Sequence, residues 1–423
     1  MDTFALLDPL LYRFQDLFGS QNFALFCAYI YGMILCTGRH TVSNIYLSGE
    51  PDTRYWSLVK FLSRGKWDMD RVVQRLIELI LPYLPSRVYV YDQTHAIKTG
   101  KKQFGLHFFR NHRYQKRNRN QSKFHWGHEF AGLGIVGITS NGIYLFPIWV
   151  KLLQAGAIAA SGLAGFESIT AMLPAGLIIF DRGFNNRKYF KILLEKGHHL
   201  LCRARRNMVF YHLPTEKEQP KRGRKKIYGK RIYIPRLPFQ DLYVEKLGKT
   251  LSVADLIVRT RVCSKPVHLV VVRIKPQKSK PYRYFIVYTS DLTLSVETII
   301  YYYKLRWSFE VGMHNSKESF GFDHYQVRSE TAIGRAVLLS FVSASLTQLV
   351  ALPQFQQTHW ETLPELNQGL SEMNIHWYHP KRWTLGLVTR YIRWRYARQL
   401  FSASFSENKN ATKSEIPFAD VAG

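Results

Sequence analysis

The stretch RVYVYD, residues 87–92, decides the predicted fold. It is β-branched and aromatic, which predicts a buried strand, and it ends on the carboxylate of Asp92. Two more apolar strands are predicted at 127–139 and 142–150, joined by the turn Ser140-Asn141-Gly142. Together these three segments predict a β-meander.

The chain then alternates between helical and extended patterns. A helix is predicted at 166–173, and a strand at 176–180 ends at Asp181. A second helix (186–196) and another strand (199–204) follow. The order β-β-β-α-β-α-β predicts an α/β fold of the ribonuclease-H-like type, a mixed sheet flanked by helices.

Outside this core the pattern of apolar and polar residues differs. Residues 1–84 have helical apolar spacing, and the segment from Thr41 to Phe61 is compatible with either a DNA-reading helix-turn-helix or an ordinary helical bundle. The predicted later domains are a β-rich insertion (205–291), a second part of the core (292–352) and a basic, aromatic C-terminal region (353–423) whose tail from Ser406 is expected to be disordered. Within the insertion we predict short strands at 232–234, 251–258, 267–274 and 284–289.

The charge balance points to a polyanionic partner. The 423 residues include 59 Lys and Arg against 30 Asp and Glu, a formal net charge of +29. Nucleic acid is the natural partner for such a chain, although a basic structural protein or a binder of anionic lipid has a similar composition. The exposed run KRGRKK, residues 221–226, carries Arg222, Arg224, Lys225 and Lys226, which suits either contact with a DNA backbone or a disordered loop.

Cysteines and apolar runs indicate an intracellular protein. The four cysteines lack CxxC spacing and lie in apolar stretches, so we expect reduced core residues. The N-terminus lacks a secretory signal pattern, which favours a cytosolic location. The apolar runs at 23–36 and 332–352 are expected to be buried helices and not membrane spans, because the first is short and the second carries Arg335. The second helix is expected to cover the sheet.

Two carboxylates follow apolar strands, Asp92 and Asp181. The ends of adjacent strands would bring them close enough that their repulsion calls for a cation, and Mg²⁺ or Mn²⁺ prefers such oxygen ligands. Viewed alone, each aspartate is also compatible with a turn or a helix cap.

A third acid lies on a long helix that Ser295 can cap and that runs to Phe320. Four residues on it share one face by their spacing: Tyr303, Arg306, Glu310 and Lys317. A surface helix with salt bridges is the alternative explanation. Beside them, Trp307 suits core packing better than stacking on an unpaired base.

This spacing, Y-x₂-R-x₃-E-x₆-K, resembles the Y-R-E-K signature of a large group of bacterial insertion-sequence DDE transposases. Asp92-x-Thr94 and Asp181-Arg182-Gly183 resemble the two aspartate motifs of that group, and the three motifs occur in the family's order. The resemblance covers residues from about 20 to 350 and does not extend to the C-terminal tail.

The resemblance implies an enzyme that cleaves DNA and transfers strands at the ends of an insertion element. Asp92, Asp181 and Glu310 would bind two Mg²⁺ ions, with Mn²⁺ as an alternative, for in-line phosphoryl transfer. Tyr303, Arg306 and Lys317 would contact DNA phosphates. The implied partners are double-stranded DNA with terminal inverted repeats, target DNA and a second copy of the chain, in a bacterial cytoplasm at the nucleoid and without a membrane.

Two alternatives stay open at this point. The chain could be an inactive protein that only binds element ends, or a ribonuclease-H-like nuclease that never joins strands. One departure from the family pattern concerns Asp92, because the preceding Tyr91 stands where many relatives have a second acid. His95, near Asp92, is expected to be a local hydrogen-bonding residue or a DNA contact and not a metal ligand.

Overall fold

The computed structural model describes residues 6–49, 51–111, 114–115, 121–140, 142–275, 281–357 and 362–414, and only the backbone of 401–414. Contacts divide the chain into two compact units. The helical unit comprises Met1–Arg75, Asn315–Gln326 and Arg335–Gly423, and the sheet unit comprises Leu76–His314 and Val327–Gly334.

The sheet unit is built on one mixed sheet, with eleven strands among the described residues. In chain order the strands are β1 (Val88–Ile97), β2 (His107–Arg110), β3 (Phe124–Thr139), β4 (Gly142–Leu152), β5 (Leu177–Phe180), β6 (His199–Arg203), β7 (Phe210–His212), β8 (Gln240–Val244), β9 (Lys249–Thr260), β10 (Cys263–Ile274) and β11 (Arg283–Thr289).

The first half of this sheet has the strand order β4-β3-β1-β5-β6. β1 is antiparallel to β3 and parallel to β5, and β5 is parallel to β6. All of Leu177–Phe180 is buried, as expected for a central strand covered on both faces. This arrangement confirms the α/β, ribonuclease-H-like fold predicted from the sequence.

The insertion continues the same sheet. β11 pairs antiparallel with β6, and β10, β9 and β7 follow in that order, with β8 also on β9. The strands predicted near 251–258, 267–274 and 284–289 are confirmed as β9, β10 and β11. The strand predicted at 232–234 is wrong, because Pro235 removes a ladder donor and Ile234–Arg236 form a 3₁₀ turn.

Two details of the first strands also differ from the prediction. β1 was expected to end at Asp92 but runs five residues further, to Ile97. It does so because β3, which is 16 residues long, keeps pairing with it as far as Gly127. β2 was missed, since its four residues are too short a run to show alternation.

Three helices accompany the strands of the sheet unit: α6 (Ile158–Met172), α7 (Arg187–Glu195) and α8 (Val296–Phe320), whose last residues fall in the helical unit. α6 begins eight residues before the predicted start at Phe166. Its early glycines lower helix propensity, but they allow close packing: a Cβ on Gly165 would lie 3.0 Å from the Trp149 ring. Tertiary packing here outweighs local preference.

The helical unit begins with the all-helical segment that the sequence predicted. Its helices are α1 (Asp8–Tyr12), α2 (Ser20–Leu35), α3 (Val42–Gly49), α4 (Tyr55–Arg64) and α5 (Met69–Ile80), and later α9 (Glu330–Val350), α10 (Pro353–Gln356), α11 (Leu366–Glu372) and α12 (Leu385–Ser414). The sequence suggested that the helix of 332–352 covers the sheet. From Arg335 onward α9 groups instead with the helical unit.

α9 is the one helix of the described residues that is long and apolar enough to cross a membrane, but its apolar window is 100% buried inside the protein. This matches the predicted core helix, and α2 is likewise apolar and largely buried. The four cysteines are free, and three of them are buried. α12 extends to Ser414, where a disordered tail from Ser406 was expected; residues 415–423 lie outside the described residues.

Candidate active site

Asp92 and Asp181 lie side by side where the pairing of β1 with β5 ends. The last paired residues of these parallel strands are Tyr91 and Phe180, so each aspartate is the next residue after that pair. Parallel neighbours stay in register, and both carboxylates therefore emerge at the same edge of the sheet. The shared position brings two negative charges together without any help from loops.

The carboxylate of Asp181 is not used as a helix cap. It precedes the 3₁₀ turn Arg182–Phe184, but its side chain accepts no capping hydrogen bond. The hydroxyl of Tyr303 donates to Asp181 Oδ1 across 3.4 Å, a long hydrogen bond. Burial raises the pKa of Tyr303, and the charge of Asp181 adds to this effect, so the phenol stays protonated and remains a donor.

α8 carries the third acid and packs closely on the sheet. The Ser295 hydroxyl accepts from the N–H of Thr298 at 3.2 Å, which confirms the predicted cap. Gly132 lies opposite Asp92 on β3, and a Cβ there would come within 2.9 Å of the Phe309 ring. On the helix, a Cβ on Gly312 would come within 2.0 Å of Leu145. Glycine at both positions lets α8 approach near enough for its side chains to reach the aspartates.

Arg306 joins two of the three acids. Its Nη1 donates to Asp92 Oδ2 at 3.0 Å, and its Nη2 donates to Glu310 Oε1 at 2.8 Å. The side chain of Arg306 is 17% exposed, whereas that of Glu310 is 41% exposed. These distances are those of charge-assisted hydrogen bonds, so the guanidinium fork holds both carboxylates in one place.

The electrostatics of Asp92 record the crowding of negative charge. Burial raises the pKa of Asp92 to about 6, while the backbone N–H of Gln93 and the charge of Arg306 lower it, and the charges of Asp181 and Glu310 raise it further. The Gln93 N–H donates to Asp92 Oδ1 at 2.9 Å. Both other acids thus act on Asp92, and the single guanidinium does not offset burial and these two charges.

The donor set suits a divalent cation. Three carboxylates supply the hard oxygen ligands that Mg²⁺ and Mn²⁺ prefer. Over the part of the chain that the structure describes, no three His, Cys, Asp or Glu side chains form a ready-made metal group. Arg306 lies between Asp92 and Glu310 and takes up oxygen atoms that an ion would use.

Family comparisons cover all three acids. The family model described as DDE superfamily endonuclease matches residues 13–132, which include Asp92. The model described as transposase DDE domain matches residues 163–346, which include Asp181 and Glu310. The chain belongs to the DDE transposases. A search of curated proteins found no significant match.

The remaining predicted residues of the transposase lie in different settings. Tyr303 is buried and directed at Asp181, where the resemblance implied a phosphate contact. Trp307 is 60% exposed, so the expected core packing is wrong. Lys317 lies further along α8, in the segment assigned to the helical unit, with its ammonium 5.8 Å from the Phe322 ring.

The basic loop at 221–226 is exposed and has a defined conformation. The Gln219 side chain closes it, because its Oε1 accepts from the Lys226 N–H at 2.8 Å and its Nε2 donates to the Lys226 carbonyl at 3.1 Å. Gly223 has a φ of 87°, which glycine adopts without strain. Arg222, Arg224, Lys225 and Lys226 are therefore presented on a closed loop, in contrast to the disordered alternative.

The structure explains the tyrosine that departs from the family pattern. Side chains alternate along a strand, so Tyr91 faces the side of the sheet opposite to Asp92. There it is fully buried and donates to the Gly162 carbonyl at 3.3 Å. Its ring packs edge-on against Phe166 at 4.9 Å. Position 91 therefore serves the core of the transposase, and an acid there would be buried among aromatic rings.

Sequence reasoning missed one cluster beyond Asp92 on the same strand. Glu129 Oε1 is 3.0 Å from His95 Nε2, and Glu129 Oε2 is 2.8 Å from His107 Nε2. These contacts confirm His95 as a local hydrogen-bonding residue. The hydrogen bond from His95, followed by that from His107, lowers the pKa of Glu129. Only the cross-strand register, which pairs His95 with Glu129, reveals this cluster.

Proposed function

We propose that this protein catalyses metal-dependent DNA cleavage and strand transfer at insertion-element ends through Asp92, Asp181 and Glu310. The observation that carries the proposal is the bridge of Arg306 between Asp92 and Glu310, beside the register position of Asp181. Three acids distant in sequence thereby come near enough that the charges of Asp181 and Glu310 help to raise the pKa of Asp92. A surface helix with salt bridges would not direct its arginine at a carboxylate of the sheet.

In this proposal the three carboxylates are ligands and take no part as acid or base. Two Mg²⁺ or Mn²⁺ ions, when bound, would supply the charge that activates the attacking oxygen and stabilises the leaving oxygen in phosphoryl transfer. Arg306 would pass from the carboxylates to a DNA phosphate, because its planar fork fits both partners. Tyr303 would keep Asp181 oriented as a positioning residue.

DNA would reach the site along basic and aromatic surfaces. Trp307 is the proposed contact for a base. The proposed phosphate contacts are Lys317 and the loop residues Arg222, Arg224, Lys225 and Lys226. The proposal assigns the ends of the element to an N-terminal domain at 1–84, catalysis to 85–204 and 292–352, and DNA-backbone contact to the insertion at 205–291.

The finer assignments follow the Y-R-E-K spacing of Tyr303, Arg306, Glu310 and Lys317. We propose that the protein belongs to the insertion-sequence group that carries this signature. It would bind terminal inverted repeats, use a target duplex as acceptor, and act as a homodimer that holds two ends. The same reasoning locates the protein in the bacterial cytoplasm, at the nucleoid. DNA itself is the substrate of the transposase family.

The test is cleavage of DNA that carries the repeats flanking the gene, with Mg²⁺ and with EDTA. Metal ligation in such sites is worth several kcal/mol, so Glu310→Gln should lower cleavage by about 10³-fold while end binding persists. Removal of Mg²⁺ should have the same effect on the unaltered protein. Glu318→Gln is a matched control, since Glu318 is an exposed acid on the same helix.

The outcomes separate the proposal from its rivals. Cleavage by Glu310→Gln at the unaltered rate would refute the assignment of the triad. End binding without any cleavage in the unaltered protein would mean an inactive binding protein. Cleavage without joined products would mean a nuclease that does not transfer strands.

A further inference from the structure

The C-terminal region lies beyond the residues that the two family models match, which end at 346. Its stretch from 373 to 400 contains no Asp or Glu, but it has six basic residues: Lys381, Arg382, Arg390, Arg393, Arg395 and Arg398. The same stretch contains Trp377, Trp383 and Trp394. Aromatic rings interleaved with arginines in a stretch of net positive charge suit a polyanion that carries flat rings.

A sharp turn after α11 positions the first tryptophan. Asn374 adopts a left-handed conformation with φ 57°, which asparagine tolerates better than most residues. The Ile375 N–H donates to the Leu370 carbonyl at 2.8 Å and the Asn374 N–H to the Ser371 carbonyl at 2.9 Å, the pattern of a Schellman motif. Ile375 is therefore buried, and Trp377, two residues later, points outward with 77% exposure.

α12 supplies the opposite wall. Trp394 stacks on Tyr391 with ring centroids 5.6 Å apart, and the guanidinium of Arg398 lies 5.3 Å from the Trp394 ring. Tyr391 is held in turn, because its hydroxyl donates to Glu372 Oε2 at 2.9 Å. The indole of Trp394 is thus supported from behind, which limits the entropy it would lose on binding a ligand.

Between these walls lies a cavity of about 340 Å³, which we call the Trp377–Trp394 pocket. Its lining consists of Met373, Ile375, Trp377, Arg390 and Trp394. The volume falls at the lower end of the range of small-molecule sites, so the pocket has room for one flat group and not for a DNA duplex. The exposed ring of Trp377 is apolar surface that a stacked base would cover.

We propose that the Trp377–Trp394 pocket binds an unpaired base of a DNA strand, with the exposed Arg390 at the adjoining phosphate. Aromatic walls stack on any base, and the six basic residues of the 373–400 stretch favour the strand's backbone. The pocket would hold single-stranded DNA that opens at an element end or a target. The inference rests on DNA as the substrate, but not on the identity of the catalytic acids.

The test measures binding of a labelled short oligothymidylate and of a duplex of the same length, in EDTA so that no cleavage occurs. Stacking is worth about 1–3 kcal/mol per base, so Trp377→Ala should weaken oligothymidylate binding about tenfold and duplex binding far less. Trp377→Phe, which keeps a ring, should retain most of the affinity. Arg390→Ala should weaken oligothymidylate binding and lower its salt dependence.

Phe108→Ala and Arg187→Ala are matched controls, an exposed aromatic and an exposed arginine that are not among the proposed DNA contacts, and should leave oligothymidylate binding unchanged. Equal losses for single-stranded and duplex DNA would overturn the proposal, because they would indicate general phosphate contact. Unchanged DNA binding with an altered oligomeric state in light scattering would also overturn it and assign the pocket to a protein contact. If Glu310→Gln still cleaves DNA, the catalytic proposal fails while the result for this pocket stands.

Discussion

Two inward-facing arginines on successive helices have opposite kinds of partner. Arg306 on α8 is held by the carboxylates of Asp92 and Glu310 in the sheet unit. Arg335 on α9 is held within the helical unit by the backbone carbonyls of Leu62 and Trp67, at 3.2 and 2.6 Å, and its guanidinium lies 4.4 Å from the Trp67 ring. One arginine faces an excess of acid, and the other faces neutral groups.

The difference shows how to distinguish an arginine that a cation can replace, here called exchangeable, from a structural arginine that its partners cannot lose without cost. Carboxylates can release a guanidinium to accept a metal ion or a proton, so the partners of Arg306 have alternatives. The carbonyls of Leu62 and Trp67 are buried and lose their hydrogen bonds if Arg335 leaves. Burial lowers the pKa of Arg335, with the charge of Asp68 opposing this, so its position is set by packing and hydrogen bonds more than by pairing.

The largest expected effect on stability is that of Arg335→Ala. It removes two hydrogen bonds from a charged donor and the contact with the Trp67 ring, so the free energy of unfolding should fall by about 4 kcal/mol. Arg306→Ala should cost less, because its acids are partly open to water and can take up a proton. Urea unfolding of both variants measures the difference.

Mg²⁺ sharpens this comparison. Added Mg²⁺ should restore part of the stability lost in Arg306→Ala, because a cation replaces the guanidinium, and it should leave Arg335→Ala as it was. Equal responses of the two variants to Mg²⁺ would contradict the distinction between exchangeable and structural arginines. Arg335→Lys serves as the control that keeps the charge but loses the fork.

Much of the fold was predictable because its signals are local. The apolar strand before Asp181, the Ser295 cap and the helical spacing of the first 84 residues each depend on a few neighbouring residues, and each is confirmed. The start of α6 was missed because packing on Trp149 outweighs the low helix propensity of its glycines. The partners of α9 were missed because hydropathy indicates burial but not what covers a helix.

The site was less predictable than the fold. Spacing placed Arg306 and Glu310 on one face, but nothing local indicates that the guanidinium reaches Asp92, 214 residues away. The exposure of Trp307 depends on how α8 lies on the sheet, which Gly132 and Gly312 control through packing at a distance. The Trp377–Trp394 pocket likewise depends on a turn at Asn374 that has no strong sequence signal.

Low pH is expected to have a smaller effect on stability, through a buried histidine of the helical unit. Burial lowers the pKa of His40 to about 4, and the charges of His324 and Arg393 contribute. An unfolded histidine titrates near 6.5. Between these pH values the unfolded chain binds the extra proton, so stability is present above 6.5 and is lost as the pH falls toward 4, by about 3 kcal/mol.

Urea unfolding at neutral pH and at about pH 4.5 measures this loss. His40→Gln keeps a donor for the Met33 carbonyl, which lies 3.1 Å from His40 Nε2, and should reduce the dependence on pH. His379→Gln, an exposed histidine of the same unit, should leave it unchanged. An identical pH profile for His40→Gln and the unaltered protein would show that other groups cause the acid sensitivity.

The smallest expected effect concerns arginines that face solvent, the third setting for this residue in the molecule. Arg222 and Arg224 are exposed on the loop that Gln219 closes, so they can meet phosphates without first releasing a buried partner. Each lost phosphate contact should reduce the salt slope of DNA binding by about one, measured between about 50 and 200 mM salt, with affinity reduced alike for all sequences. Lys217→Ala, a cation just outside the loop, is the control. A loss confined to the element end would instead mean that these arginines read bases, and an unchanged slope would mean that the loop does not touch DNA.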